Sequence, residues 1–172
     1  MKIRMLAVAA VAAALSSAVY AQAPDDAQIA HIVVTANQVD IDAGKLASTK
    51  STSKEVQAFG KQMVADHTAV NQQATDLATK LKVKPQDNPT SQSLAKGGKD
   101  NLAKLGGLSG AAFDKAYVAN EVAYHQAVLD ALDKTLIPNA KNDELKALMV
   151  KVRPAFVSHL QHAQQLQTTL GK

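Results

Sequence analysis

The sequence predicts an all-α fold, a bundle of four long helices, and three observations carry that reading. Strand signals are nearly absent: no segment alternates apolar and polar residues for long, and no Asn-Gly or Asp-Gly hairpin turn occurs. Apolar residues recur instead at three- and four-residue spacing in four long stretches. Breakers rich in Ser, Thr, Gly and Pro separate those stretches.

The first predicted helix covers 26–49. Asp25 and Gln28 stand at capping-box spacing at its start. Its apolar seam is Ile29, Ile32, Ala36, Val39, Ala43 and Leu46, with Val33, Asp40 and Ala47 beside it. The Ser/Thr/Lys cluster 48–53 breaks it. Thr52 and Glu55 make a second capping box, which opens a helix over 53–82. The seam there is Val56, Gly60, Met63, His67, Val70, Ala74, Leu77 and Leu81, with Gly60 allowing close helix approach.

Residues 83–92 read as a loop with two prolines, and 93–105 as a weak short helix interrupted by Gly97-Gly98. Ser109 is the expected N-cap of the third long helix, 110–136, closed by Pro138. Its seam is Val118, Val122, His125, Leu129, Leu132 and Leu136. Asn142 caps the fourth, 143–170, with Asp143 and Glu144 in the first turn, where the macrodipole favours acids. Its seam runs Leu145, Met149, Val152, Phe156, His159, Ala163, Leu166 and Leu170. Pro154 inside that helix removes one backbone bond, which predicts a kink near His159 or a local packing irregularity.

The connection 83–108 is far longer than an ordinary helix–helix link. It is long enough to traverse a bundle about 40 Å long. One long crossover, carrying a short extra helix between helices two and three, is the ferritin-like wiring of a four-helix bundle.

Composition narrows the function. The chain has 172 residues and no Cys. That removes disulfide frameworks, thiolate zinc sites, iron–sulfur clusters, Cys nucleophiles and a lipid-anchored N-terminal Cys. With 47% hydrophobic and 20% charged residues it is globular rather than disordered. Lys2 and Arg4, the apolar run Met5 to Ala14, and Val19-Tyr20-Ala21 form a secretory signal pattern, with cleavage expected after Ala21. The domains expected are therefore a signal peptide, 1–21, and a bundle, 22–172, working in a bacterial periplasm or exterior. The apolar run is too short to span a membrane, and no later run reaches that length.

Removing Lys2 and Arg4 from 19 basic residues leaves 17 against 15 acidic, so the net charge falls from +4 to +2. No Lys/Arg block is interleaved with aromatics, which disfavours nucleic acid. Nucleotide and hydrolase motifs are missing: position 93 is Ser where a P-loop needs Gly, Ala111 stands where a nucleophile elbow begun by Gly107-x-Ser109 needs Gly, and no His-Glu-x-x-His occurs.

The chemistry sits in the seams. His67, His125 and His159 come from three different helices, and each lies near its helix midpoint. Midpoints share a depth whichever way the helices run, so the three should fall in one layer of the core. Asp40 is also near its helix midpoint, and Glu121 lies one turn before His125 on the same face. Inward imidazoles and carboxylates from facing helices are how bundles hold transition metals. The candidate metal ligands are therefore His67, His125 and His159, with Asp40 or Glu121 contributing, for a single ion among Zn, Fe, Mn, Ni and Cu.

The alternative is a hydrogen-bonded polar core, with His67–Asp40 and His125–Glu121 pairs satisfying each other without metal. Asp66 either orients a ligand or faces solvent. Tyr117 and Tyr124 read as core-edge aromatics, His31 as surface or cap, and His162 as lying beside His159.

Gly44-Lys45-Leu46-Ala47, Val56-x-x-Phe59 and Met63-Val64-x-Asp66-His67 resemble the bacterial exported family called domain of unknown function 4142. Ser109-Gly110-x-x-Phe113-Asp114-x-x-Tyr117-Val118, His125, and Pro154 with His159-Leu160 complete the pattern over the whole mature chain. The resemblance implies a ferritin-like four-helix fold and envelope export, and no established activity. Di-iron carboxylate members of the ferritin-like group use Glu-x-x-His, whereas Val64 and Phe156 stand three residues before His67 and His159. That departure disfavours a ferroxidase centre and leaves a single histidine-rich metal site.

Two functions follow as expectations: an exported metal-binding bundle, or a non-catalytic envelope or stress-related interaction protein whose histidines are structural. Association with a membrane surface through one amphipathic helix is a third. No catalytic base or nucleophile is identifiable, so the reading leans away from an enzyme.

Overall fold

The computed structural model describes residues 23–171, and every regular element among them is helical. The expected leader, 1–21, lies outside the described residues. Helix α1 (Asp26–Lys50) opens on the predicted capping box: the Asp25 side chain accepts the Gln28 N–H, and the Gln28 side chain accepts the Asp25 N–H. Helix α2 (Lys54–Leu81) starts one residue later than the Thr52 box predicts. Ser53 is its N-cap, accepting the Val56 N–H and donating to Glu55. Thr52 is occupied elsewhere, donating to Asp114.

Helix α3 (Pro89–Gly106) is longer than the short helix expected, because Asn88 caps it with Pro89 in the first turn. Gly97-Gly98 does not interrupt it. Gly98 lies against α1, where a Cβ would come within 2.7 Å of Val39 Cγ2, so that glycine serves a close contact rather than a break. Helix α4 (Gly110–Ala131) follows Ser109, which holds the N-cap position without a side-chain capping bond. Gly110 takes φ +54 there, a left-handed conformation that favours glycine.

Helix α4 does not stop before Pro138. It continues through a π-helical turn (Leu132–Leu136) into a last turn, α5 (Ile137–Asn139), that contains Pro138. A proline ring collides with the carbonyl four residues earlier in a regular α-helix, and the widened turn just before it relieves that collision. Helix α6 (Asp143–Leu170) begins as predicted at Asn142, which accepts the Glu144 and Leu145 N–H groups, and runs through Pro154.

Contacts arrange the long helices in a ring ordered α1, α2, α6, α4, with α3 packed outside against α1. One end of the core joins Ala47, Phe59, Phe113, Tyr117 and Leu166. The other joins Ile29, Val70, Leu132, Leu145 and Met149. The start of α2, the start of α4 and the ends of α1 and α6 therefore meet at one end. So α2 runs parallel to α4, α1 runs parallel to α6, and α3 returns the chain along the bundle. Buried Asp114 fastens α4 to the α1–α2 turn, accepting Ser51 Oγ at 2.5 Å and Thr52 Oγ1 at 3.2 Å.

Helices α1 and α2 touch backbone to backbone. A Cβ at Gly44 would lie 2.7 Å from the Gly60 carbonyl oxygen, and one at Gly60 2.8 Å from the Gly44 carbonyl oxygen. Backbone cannot swing aside as a flexible side chain does. Gly60→Leu is expected to regain about 1 kcal/mol of helix propensity and to lose more, since overpacking costs about 1–3 kcal/mol. Its melting temperature should fall. Gly97→Ala is the control, because nothing lies within 4 Å of a Cβ there, and it should raise the melting temperature. Equal shifts in the two variants, read by calorimetry, would contradict the close contact.

Candidate metal centre

Each helix of the ring delivers one polar side chain to the same level of the core. Asp40 comes from α1, His67 from α2, His125 from α4 and His159 from α6, and none is more than 3% exposed. The imidazole centroids lie 5.6 Å (His67–His125), 5.2 Å (His67–His159) and 5.4 Å (His125–His159) apart. Ligating atoms of the three histidines can all be chosen within 4.8 Å of one another. Phe156 stacks on His67 at 5.1 Å and 14°, closing the layer with an apolar face.

The nitrogens sort into two sets. One nitrogen of each ring is tied down: His67 Nδ1 to Asn37 Oδ1 at 2.7 Å, His125 Nδ1 to the Glu121 carbonyl at 3.0 Å, and His159 Nε2 to Asp66 Oδ2 at 2.9 Å. The other nitrogen of each ring, His67 Nε2, His125 Nε2 and His159 Nδ1, is buried with no hydrogen-bond partner. A ring whose outer N–H is donated presents a lone pair on its inner nitrogen. Metal-ligating histidines are held in this way, with the far N–H fixed by a carboxylate, amide or backbone carbonyl.

Asp40 completes the convergence. Its Oδ2 lies 2.9 Å from His67 Nε2 and 3.3 Å from His125 Nε2. Those approaches have hydrogen-bond length but not hydrogen-bond direction, and both Asp40 oxygens are buried without a hydrogen-bond partner. Ligand atoms around one ion with bonds of about 2.1 Å stand about 3.4 Å apart in a tetrahedral set, close to these separations. Left unpaired, each such atom costs about 1–3 kcal/mol. Burial works to raise the Asp40 pKa, and the nearby imidazoles of His67 and His125 outweigh it, leaving the carboxyl below its usual range. Burial pulls His125 down to about 4, and burial also lowers His159, so both rings are neutral at pH 7.

Glu121 behaves differently from Asp40. It lies on the Nδ1 side of His125, with Oε2 3.6 Å away. Burial and the charge of Asp40 push its pKa far up. The two buried carboxyls thus shift in opposite directions, Glu121 up and Asp40 down. Asp40, Glu121 and His125 form a second group with ligating atoms inside 4.8 Å, sharing His125 with the group of three histidines.

Two residues that hold the rings were not fully legible in sequence. Asn37, 3% exposed, is not among the apolar positions that mark the first seam; its place one turn before Asp40 on the same helix face is the available signal. Of the two expectations for Asp66, holding a ligand or facing solvent, the structure shows a half-exposed carboxylate bonded to His159 across the bundle, a pairing that sequence distance does not show. His162 is not in the layer; its ring meets Phe59 edge-on at 5.0 Å. Tyr117 is wholly buried, not at the core edge, whereas half-buried Tyr124 donates to the Ala36 carbonyl. His31, half-buried, stands 3.8 Å from Asp87, away from the layer.

An all-helical bundle with three imidazoles and two carboxyl groups buried at one level defines a protein whose core can hold a metal ion. The particular family is the Domain of unknown function (DUF4142): its profile matches residues 10–166, and the chain belongs to it. No curated protein and no solved structure matches the chain. None of the described helices is long and apolar enough to cross a membrane.

Proposed function

We propose that this protein is an exported bundle that holds one transition-metal ion between His67, His125, His159 and Asp40. A single observation carries the reading: three buried imidazoles, each fixed through one nitrogen, turn their other, unpartnered nitrogens toward one another beside a buried carboxylate. A core built only of hydrogen-bonded pairs would leave no such set. Asn37, Asp66 and the Glu121 carbonyl select the tautomers, and Glu121, its pKa raised by burial, adjoins Asp40 and His125. A bound ion there would supply Lewis-acid or redox chemistry according to its identity. The N-terminal signal pattern supports the reading that it works in the periplasm or outside the cell.

The test is elemental mass spectrometry of untagged protein expressed at full length, beside a variant carrying His67→Ala, His125→Ala and His159→Ala. Near-stoichiometric metal in the first and background in the second is the expected result. Background in both, after challenge with Zn, Cu, Fe, Mn and Ni, would make the histidines structural and favour an envelope interaction protein.

A further inference from the structure

The core is hollow beside the histidine layer. A cavity of about 30 Å³ opens at Asp40, His67 and His125 and runs between apolar walls that include Val70, Val152 and Leu132 of the π-helical turn. That is about twice the space one water needs, enough for two or three small atoms. Away from the Asp40 end its polar side chains are already used. Asn37 donates to the Val33 carbonyl and pairs with His67, and Tyr124 donates to the Ala36 carbonyl. An ordered water needs two to four polar partners, and that part of the cavity has none to offer.

Outside lies a groove of about 330 Å³ between α1, α3 and α4. Ala36, Tyr124, Val128 and Leu136 line both the groove and the cavity. The partition between solvent and cavity is therefore one layer of side chains thick. Tyr124 latches it, its hydroxyl reaching across the α1–α4 seam to Ala36 O at 2.8 Å. That seam is the lightest contact of the ring. The half-exposed Asp66, paired with His159, lies on the α2–α6 seam, which the ring order places on the opposite side. The charged approach to the layer and the apolar one are thus separate.

We propose that the cavity is a binding site for a small uncharged molecule of two or three heavy atoms, admitted from the groove past Tyr124 and delivered to the Asp40–His67–His125 end. Its walls reject ions, since burying an unpaired charge there is too costly. Its size rejects larger metabolites. The site exists with or without a metal; only delivery to a bound ion rests on the function proposed above.

Xenon is the probe. Crystals of protein expressed at full length, metal-free and metal-loaded, are pressurised with xenon and compared with Val152→Phe, which fills the cavity. Val128→Phe, filling from the partition, serves if the first variant does not fold. Xenon density beside Val152, lost in the filled variant, is expected. In solution, xenon exchange followed by nuclear magnetic resonance should quicken at least tenfold in Tyr124→Ala. Folded wild-type protein with no xenon, or with ordered water alone in the cavity, overturns the site. An unchanged exchange rate in Tyr124→Ala overturns the route. Xenon in a protein that takes no metal refutes the metal reading alone, and stoichiometric metal without xenon refutes this one alone.

Discussion

A saturating transition metal should raise the melting temperature of the wild-type protein by about 8–16 °C and leave His125→Leu unmoved. A ligand at a thousand times its dissociation constant stabilises by about 4 kcal/mol, and a domain of this size gains about 2–4 °C per kcal/mol. The variant is informative because its metal-free state should not suffer much. His125 is 1% exposed with an unpartnered Nε2, and Leu removes a polar atom that is buried at a cost while keeping most of the volume. Asp40→Asn should behave in the same way toward metal, since it removes the one charged oxygen within 3.3 Å of two imidazoles. If His125→Leu melts much lower than wild type without metal, and wild type ignores added metal, the histidine is a structural core group.

Acid should unfold the metal-free protein through the histidine layer. In the folded state His125 titrates at about 4 and His159 below its usual value, while both return to about 6.5 when exposed. Between those limits the unfolded chain binds more protons, so stability falls as pH drops from 6.5 toward 4. The slope reaches about 1.4 kcal/mol per pH unit for His125, and His159 adds to it in the same direction. Glu121 has the opposite sign. Its folded pKa is raised, so the folded state keeps a proton that the unfolded chain releases above 4.5, and stability falls as pH rises past that point. Asp40, with a depressed pKa, adds stability that is lost only below about pH 4. Glu121→Gln removes the alkaline penalty and leaves the histidines unopposed. The variant should be more stable than wild type at pH 7–8 and lose stability more steeply toward pH 4.5. Denaturant midpoints against pH, in chelator, measure both; equal slopes for the two proteins would show that Glu121 is ionised in the fold.

Much of this protein was legible in its residues. Asp25, Gln28 and Asn142 mark helix starts because capping chemistry is local, a matter of side chains reaching N–H groups two or three residues on. The seams of α2 and α6 were legible because helical period alone decides which side chains share a face. Depth was legible too: His67, His125, His159 and Asp40 stand near the middle of helices of similar length, so any antiparallel or parallel packing brings them to one level. Local rules failed where a distant partner competed. Thr52 lost its capping role to Asp114, and Gly98 ceased to be a breaker because Val39 fills the space beside it.

What the sequence determined by itself was therefore the class of fold, the position of most helix ends and the membership of the polar layer. Those follow from periodicity, capping and counting along a helix. Tertiary structure alone decided which nitrogen of each ring faces inward, that Asn37 and Asp66 hold two of the rings, that burial beside Asp40 raises the Glu121 pKa, and that a cavity adjoins the layer. Each of these depends on the distance between side chains remote in sequence, and in a bundle that distance is set by how helices rotate about their own axes as they pack, which no periodicity records.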